Sequence, residues 1–119
     1  MERLGENAGF LDRKHRLLRP RFTVVLHQVR DELDLSMTSY AVIDSIHVLS
    51  HTRPDYPWCT MSKEEIAKFL GMSRRTVFNS ITEGLKKGLL EKNPLGLRTT
   101  RKWTEVVHLY SPQKELREL

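Results

Sequence analysis

The residues best suited to chemistry in this sequence are polar side chains that recur at helical spacing, namely Arg75, Asn79, Thr82 and Lys86. At about 100° per residue these positions share one side of a helix, opposite an apolar stripe of Val77, Ile81 and Leu85. Arginine can hydrogen-bond O6 and N7 of guanine together, and asparagine can do the same with N6 and N7 of adenine. The spacing therefore predicts a helix face that reads base edges in duplex DNA.

The start of the same helix suits phosphate binding. Ser73 is placed to cap the helix, and Arg74 follows it beside backbone N–H groups that have no partner within the helix. The candidate DNA contacts of this helix are Ser73, Arg74, Arg75, Thr76, Asn79 and Lys86. The alternative interpretation is that the two arginines are solvated charges and that Asn79 is a plain surface residue.

Three residues of the helix, Thr76 of the candidate contacts among them, fit this role less well. Thr76 and Phe78 flank the apolar stripe, and both types are more often packing residues than base readers. Glu83 falls on the exposed side, where we expect it to lie beyond the DNA backbone or to accept a hydrogen bond from a cytosine amine.

Two short helices and a hairpin are expected to position this face. Ser62 to Glu65 has the capping-box pattern, and the helix that it opens ends at Gly71, which can adopt the left-handed conformation. Ser73 then caps the second helix, and Gly88 is placed to stop it. Residues 89–92 look like a strand, residues 93–96 like a turn, and residues 104–110 like the returning strand, because they are rich in β-branched and aromatic residues.

The part of the chain before these helices predicts more helical structure. From Phe22 the apolar spacing fits a helix, although the run Thr23 to Val25 could equally begin a strand, so this start stays open. Ser36 is a plausible cap for a helix that ends near His51. Pro54 and Pro57 then require a loop, and residues 58–61 form a short extended piece.

The charge of the chain is concentrated in two segments. The 119 residues carry a formal net charge of +5, and residues 72–102 contain eight basic and two acidic side chains. Residues 1–21 contain six basic and three acidic side chains. A basic patch on an otherwise acidic chain favours a polyanionic partner, because a lysine or arginine placed against a phosphate releases condensed counterions.

Two groups of basic residues outside the helix are further candidate contacts. Residues 98–102 are expected to form a basic hairpin tip or loop, and its candidate phosphate contacts are Arg98, Arg101 and Lys102. The candidate contacts in the amino-terminal arm are Arg13, Lys14, Arg16, Arg19 and Arg21. A solvated loop and a disordered arm are the alternatives. Trp103 is expected to pack beneath the hairpin.

The segment Ile66 to Val77, followed by Leu85 to Leu90, resembles the helix-turn-helix signature of winged-helix DNA-binding domains. In that pattern Ala67 lets the helices approach, Gly71 makes the turn, and Leu89 starts the wing. The wider layout, from Phe22 through Leu35–Tyr40 to Trp103, resembles the amino-terminal domains of phage and plasmid replication initiators and replisome organisers. The resemblance covers roughly residues 22 to 110, three quarters of the chain.

Together these observations predict a mainly α fold, a winged helix-turn-helix with three to four helices and a small antiparallel β-hairpin. Residues 1–21 form a basic arm, 22–110 the domain, and 111–119 a charged tail. The expected function is sequence-specific double-stranded DNA binding in replication initiation of a mobile element. The alternatives are a transcriptional regulator and a winged helix that serves as a protein-interaction module with an acidic partner. A homodimer and replication or transcription proteins are further candidate partners.

Other classes of protein fit the sequence poorly. A single cysteine, Cys59, excludes a disulfide scaffold, and no apolar run approaches the roughly 18 residues of a membrane helix. We therefore expect a cytoplasmic protein without a membrane partner. His47, His51 and Cys59 allow the hypothesis of a zinc site or of a catalytic nucleophile. The sequence offers neither a complete set of zinc ligands nor a recognised catalytic motif to support it. We expect no enzymatic activity, no metal and no cofactor.

Overall fold

The computed structural model describes residues 22–51 and 55–111. Its helices are α1 (His27–Leu33), α2 (Met37–Ser50), α3 (Lys63–Leu70), α4 (Arg74–Lys86) and α5 (Arg101–Tyr110). Its strands are β1 (Leu90–Asn93) and β2 (Gly96–Thr99), which form a two-stranded antiparallel hairpin after α4. The predicted fold class is confirmed, because the described chain is mainly helical and has the layout of a winged helix.

The predicted helix ends are confirmed, and each has a local cause. The Ser36 side chain accepts a hydrogen bond from the Ser39 backbone at the start of α2, and Ser62 and Glu65 form a reciprocal capping box on α3. Gly71 ends α3 with φ of 69°, and Ser73 caps α4 two residues later. The start that the sequence left open is also decided, because α1 begins only at His27, after an irregular stretch.

The hairpin is tight and is extended by a third short segment. Its register pairs Leu90 with Thr99 and Asn93 with Gly96. The Asn93 side-chain oxygen accepts hydrogen bonds from the backbone of the next turn residues, at 2.8 and 3.1 Å. Cys59 forms an isolated antiparallel bridge with Leu97, which confirms an extended piece near residues 58–61.

The returning strand was predicted in the wrong place. Residues 104–110 belong to α5, and the partner of β1 is residues 96–99, which directly follow the turn. The described chain therefore has five helices, whereas three or four were expected. The buried and half-buried apolar residues of α5 are Trp103, Val106, Val107 and Tyr110. This spacing of three, one and three residues is helical, and it outweighed the strand propensity of the β-branched side chains.

The core surrounds α2, which packs on α4 and β2. Val42, Ile43 and Ile46 of α2 are fully buried. Trp103 of α5 is also fully buried, and its ring lies 5.2 Å from that of Tyr40, centroid to centroid. Trp103 thus joins α5 to the central helix, next to the base of the hairpin. None of the described helices is long and apolar enough to cross a membrane.

Several predictions concern residues outside the described ranges. They are the basic arm with Arg13, Lys14, Arg16, Arg19 and Arg21, the loop residue Pro54, and the tail beyond Ser111.

Candidate nucleic-acid interface

The outer face of α4 consists of Arg75, Asn79, Thr82 and Lys86. All four side chains are exposed. None of them has a hydrogen bond or an ion pair with another described side chain. These groups can therefore bind an external partner without first breaking a contact with another described side chain.

The opposite side of α4 holds this face in place. Val77 is fully buried and Ile81 is 4% exposed, whereas Leu85 is half-buried at the edge of the core. Ser80 and Gly84 also lie on the buried side. A Cβ on Gly84 would come within 2.7 Å of the Leu90 side chain, so the small residue lets α4 approach the hairpin closely. The predicted division of α4 into an apolar and a polar side is present in the structure.

The hydroxyl groups at the start of α4 are engaged within the cap. The Ser73 hydroxyl accepts a hydrogen bond from the Thr76 backbone at 3.1 Å and donates one to the Thr76 hydroxyl at 2.9 Å. Ser73 and Thr76 thereby stabilise the first turn. The Ser73 cap leaves other N–H groups of that turn without a partner inside the helix, as at any helix start.

Arg74 lies at the surface but is paired. Its Nε is 2.5 Å from Oε2 of Glu64 on α3, and the two side chains are 64% and 61% exposed. The pKa of Glu64 lies below its ordinary value because its own backbone amide and the Arg74 guanidinium stabilise the charged carboxylate. Arg74 thus begins α4 with its charge partly neutralised.

Glu83 does not lie on the outer face, contrary to the sequence-based expectation. Its carboxylate accepts a hydrogen bond from the Ser39 hydroxyl of α2 at 2.7 Å and one from the Lys87 ammonium at 2.8 Å. Burial opposes its ionisation, yet these hydrogen bonds hold the pKa of Glu83 below its ordinary value. Glu83 therefore ties α4 to α2, and no acidic side chain of α4 stands on its outer face.

Arg98 was predicted at a hairpin tip, and this is wrong. It lies within β2, where its Nε is 2.7 Å from Oε2 of Glu91 on β1. Its guanidinium carbon also lies 4.2 Å from the centroid of the Trp58 ring. Arg98 therefore connects both strands to the segment before α3, because its guanidinium pairs with Glu91 on β1 and stacks on the Trp58 ring.

Arg101 and Lys102 are likewise not in a loop, because they are the first residues of α5. Arg101 is 86% exposed and pairs with Glu105 one turn later, at 3.2 Å. Lys102 donates a hydrogen bond to the backbone carbonyl of Lys87 at 2.9 Å. The tip of the hairpin is instead the turn 93–96, which follows the exposed Lys92.

Sequence reasoning treated Phe78 as a packing residue, but its side chain is 47% exposed. It lies beside the outer face of α4, and the Lys63 ammonium of α3 is 5.7 Å from its ring centroid. The sequence did contain a signal, because Phe78 lies about 60° around the helix from the centre of the apolar stripe, at the edge of the buried side.

His47, His51 and Cys59 have structural roles. His47 Nδ1 is 2.7 Å from the Thr99 hydroxyl of β2, and His51 Nδ1 contacts the His47 carbonyl oxygen. Cys59 is 2% exposed, and burial raises the pKa of its thiol, which disfavours the reactive thiolate. Within residues 22–51 and 55–111, no group of three or more metal-binding side chains comes together.

Comparisons with models of known protein families, with curated proteins and with solved structures gave no significant match.

Proposed function

We propose that this protein binds double-stranded DNA in a sequence-specific manner, with α4 in the major groove. One observation carries the proposal, namely that the four polar side chains on the outer face of α4 are exposed and have no partner among the described side chains. The major groove of B-DNA admits an α-helix, and it displays a distinct donor and acceptor pattern for each base pair. Arg75 and Asn79 provide the side-chain types that pair with guanine and adenine.

The charge around α4 supports a polyanionic partner. Arg74 lies at the amino-terminal end of α4, Lys86 at its carboxyl-terminal end, and Lys63 and Lys68 on the neighbouring α3. The inward placement of Glu83 removes the one acidic side chain of α4 that would have opposed a phosphate backbone there. An acidic protein partner would meet the same charges, so the experiment has to separate base recognition from simple charge attraction.

The first experiment is selection of bound duplexes from a random pool at about 150 mM salt, where nonspecific attraction is partly screened. We expect an enriched motif. A tandem arrangement of that motif supports the role in replication initiation implied by the resemblance, and an inverted repeat spaced by about one helical turn supports a transcriptional regulator. Absence of any enriched motif would contradict sequence-specific binding and favour a protein-interaction module.

Two matched substitutions test the placement of the helix. Arg75→Ala should reduce discrimination between the enriched duplex and a random duplex by roughly 1–3 kcal/mol. Arg101→Ala, at an exposed arginine on α5, should weaken binding to both duplexes alike and lower the salt slope by about one unit. Equal losses on both duplexes for Arg75→Ala would contradict a base contact, and an unchanged slope for Arg101→Ala would remove α5 from the contact surface.

A further inference from the structure

Phe78 is an aromatic side chain exposed beside the polar outer face of α4. It is 47% exposed and does not belong to the apolar residues packed against the core. It lies three residues after Arg75 and four residues before Thr82, and these are the spacings at which helical side chains are neighbours. The surface that would enter the groove therefore contains one large apolar group among its hydrogen-bonding groups.

The surroundings of Phe78 are basic, which excludes most apolar partners but suits DNA. The Lys63 ammonium lies 5.7 Å from the ring centroid, and Arg74 precedes Phe78 by one helical turn. An apolar protein surface would have to desolvate these charges without compensation. The phosphates at the edges of a DNA groove can pair with the charges of Lys63 and Arg74. The floor of the major groove also presents one apolar group, a methyl group.

We propose that Phe78 is a specificity-determining residue that contacts the C5-methyl group of thymine in the major groove. Thymine is the one base of unmodified DNA with a methyl group at this edge, and apolar side chains recognise it by contact. This inference rests on the proposed function and identifies part of the target, namely that the bound site contains a thymine at a defined position.

The position of Asn79 adds a relation between two bases of the site. Asn79 directly follows Phe78, and one helical residue advances about 1.5 Å along the axis, whereas one base pair advances about 3.4 Å. Because the two side chains leave α4 about 100° apart around its axis, an adenine held by Asn79 and a thymine touched by Phe78 should lie within a few base pairs of each other. The enriched site should therefore contain A·T pairs where α4 contacts it.

The test replaces single thymines of the enriched duplex by uracil, which removes the methyl group and leaves the pairing edge unchanged. With the full chain, we expect one or two positions at which uracil weakens binding by about fourfold, the effect of exposing one buried methyl group. In Phe78→Ala the thymine and uracil duplexes should bind equally at those positions. The substitution should leave the fold intact, because Phe78 is 47% exposed and lies outside the core cluster, and circular dichroism checks this.

Two control variants make the assignment specific. Leu109→Ala removes an apolar side chain that is 59% exposed on α5, and it should keep the fourfold preference. Thr82→Ser removes the other methyl group on the outer face of α4 and should also keep it. Uracil sensitivity that persists in Phe78→Ala would overturn the inference, because another residue would then contact the methyl group.

The remaining outcomes separate this inference from the function on which it rests. An enriched motif in which no thymine responds to uracil, or which contains no thymine, would overturn the role of Phe78 and leave sequence-specific binding in place. Selection without any enriched motif would overturn both. Loss of thymine preference in Phe78→Ala alone supports the inference.

Discussion

Arg74 begins α4 with its guanidinium held by Glu64, and this pairing carries a prediction at the scale of one residue. In Glu64→Gln the guanidinium loses its anionic partner and becomes available to a phosphate, and a negative charge beside the proposed interface disappears. We expect binding to random duplexes to strengthen and the salt slope to increase by up to about one unit. Fluorescence anisotropy over a series of salt concentrations measures both quantities.

Asp31→Asn provides the matched control for this change. It removes the ion pair between Arg30 and Asp31 on α1, which are 3.7 Å apart, and α1 contributes nothing to the outer face of α4. The control should leave the salt slope unchanged. If Glu64→Gln also leaves random binding unchanged, then Arg74 lies outside the contact with DNA.

Asp44 on α2 carries a prediction for the pH dependence of stability. Burial raises the pKa of its carboxyl from 3.8 to about 6 in the folded protein. The unfolded chain therefore loses this proton first, and the contribution of Asp44 to the free energy of unfolding falls as the pH rises from about 4 to about 6. Asp44→Asn removes the free-energy cost of holding a charged carboxylate in this buried position, so the variant should be more stable by roughly 1–2 kcal/mol at pH 7.

The measurement is urea unfolding of Asp44→Asn and the unsubstituted protein between pH 4 and pH 7. The gain should be full at neutral pH and should shrink toward pH 4, because the folded carboxyl becomes protonated below about pH 6 and the unfolded carboxyl only around pH 4. Asp55→Asn, at an exposed carboxylate, serves as the control and should change the free energy of unfolding only slightly. A gain from Asp44→Asn that stays constant over the whole range would show that ionisation is not its cause.

At the scale of elements, the contact of the hairpin with the segment before α3 depends on Gly96. A Cβ there would lie 2.2 Å from the Cys59 carbonyl oxygen, and this is a backbone atom that cannot move aside alone. The same backbone forms the bridge between Cys59 and Leu97, with hydrogen bonds of 2.7 and 3.0 Å. Gly96→Ala should therefore lower the free energy of unfolding by about 2–4 kcal/mol, as measured by urea unfolding.

Gly71→Ala tests whether this loss comes from the close approach. Gly71 has φ of 69° and has open space where a Cβ would stand, so its substitution brings backbone strain without a clash. We expect a smaller loss, about 1–2 kcal/mol. Equal losses for the two variants would mean that the contact between Gly96 and Cys59 contributes little to the stability of the hairpin.

Residues 104–110 were predicted to be a strand but belong to helix α5, and the packing of that helix gives the reason. Its β-branched and aromatic side chains have strand propensity, but its apolar residues are spaced for one face of a helix, where Trp103 packs on Tyr40 of α2 and the helix also contacts α1. The turn at 93–96 gives β1 its antiparallel partner in residues 96–99, so residues 104–110 are not needed to complete the hairpin. Packing against the rest of the molecule decided the element, and local propensity did not.

At the scale of the whole molecule, the charge distribution predicts how the arm contributes to binding. Substitution of Arg13, Lys14, Arg16, Arg19 and Arg21 by glutamine in the full chain should lower the salt slope by up to about four units. The loss of affinity should be the same for the enriched and the random duplex, because phosphate contacts carry no sequence information.

Repeating the selection with this variant provides the check. We expect the same motif as for the unsubstituted protein, but the selection has to be made at a lower salt concentration because the affinity is reduced. A changed motif would show that the arm contacts bases. An unchanged slope would show that the arm does not contact DNA.

Much of the candidate site could be predicted from the sequence because it depends on local interactions. The caps at Ser36, Ser62 and Ser73 involve residues three positions apart, and the polar side of α4 follows from helical periodicity alone. Helical periodicity also places Arg75 and Asn79 away from the apolar stripe, so no contact with a distant part of the chain was needed to predict their position.

The tertiary structure alone decided which of these groups are free. Arg74 meets a carboxylate ten residues away, and Glu83 meets a hydroxyl 44 residues away, which turns it from the outer face of α4. Arg98 lies between Glu91 and Trp58, whereas Phe78 remains exposed. The sequence by itself determined the amphipathic helices and their ends, because these depend on neighbours within one or two turns. The pairing and burial of individual side chains depend on residues brought together from distant parts of the chain, and the folded structure was needed to decide them.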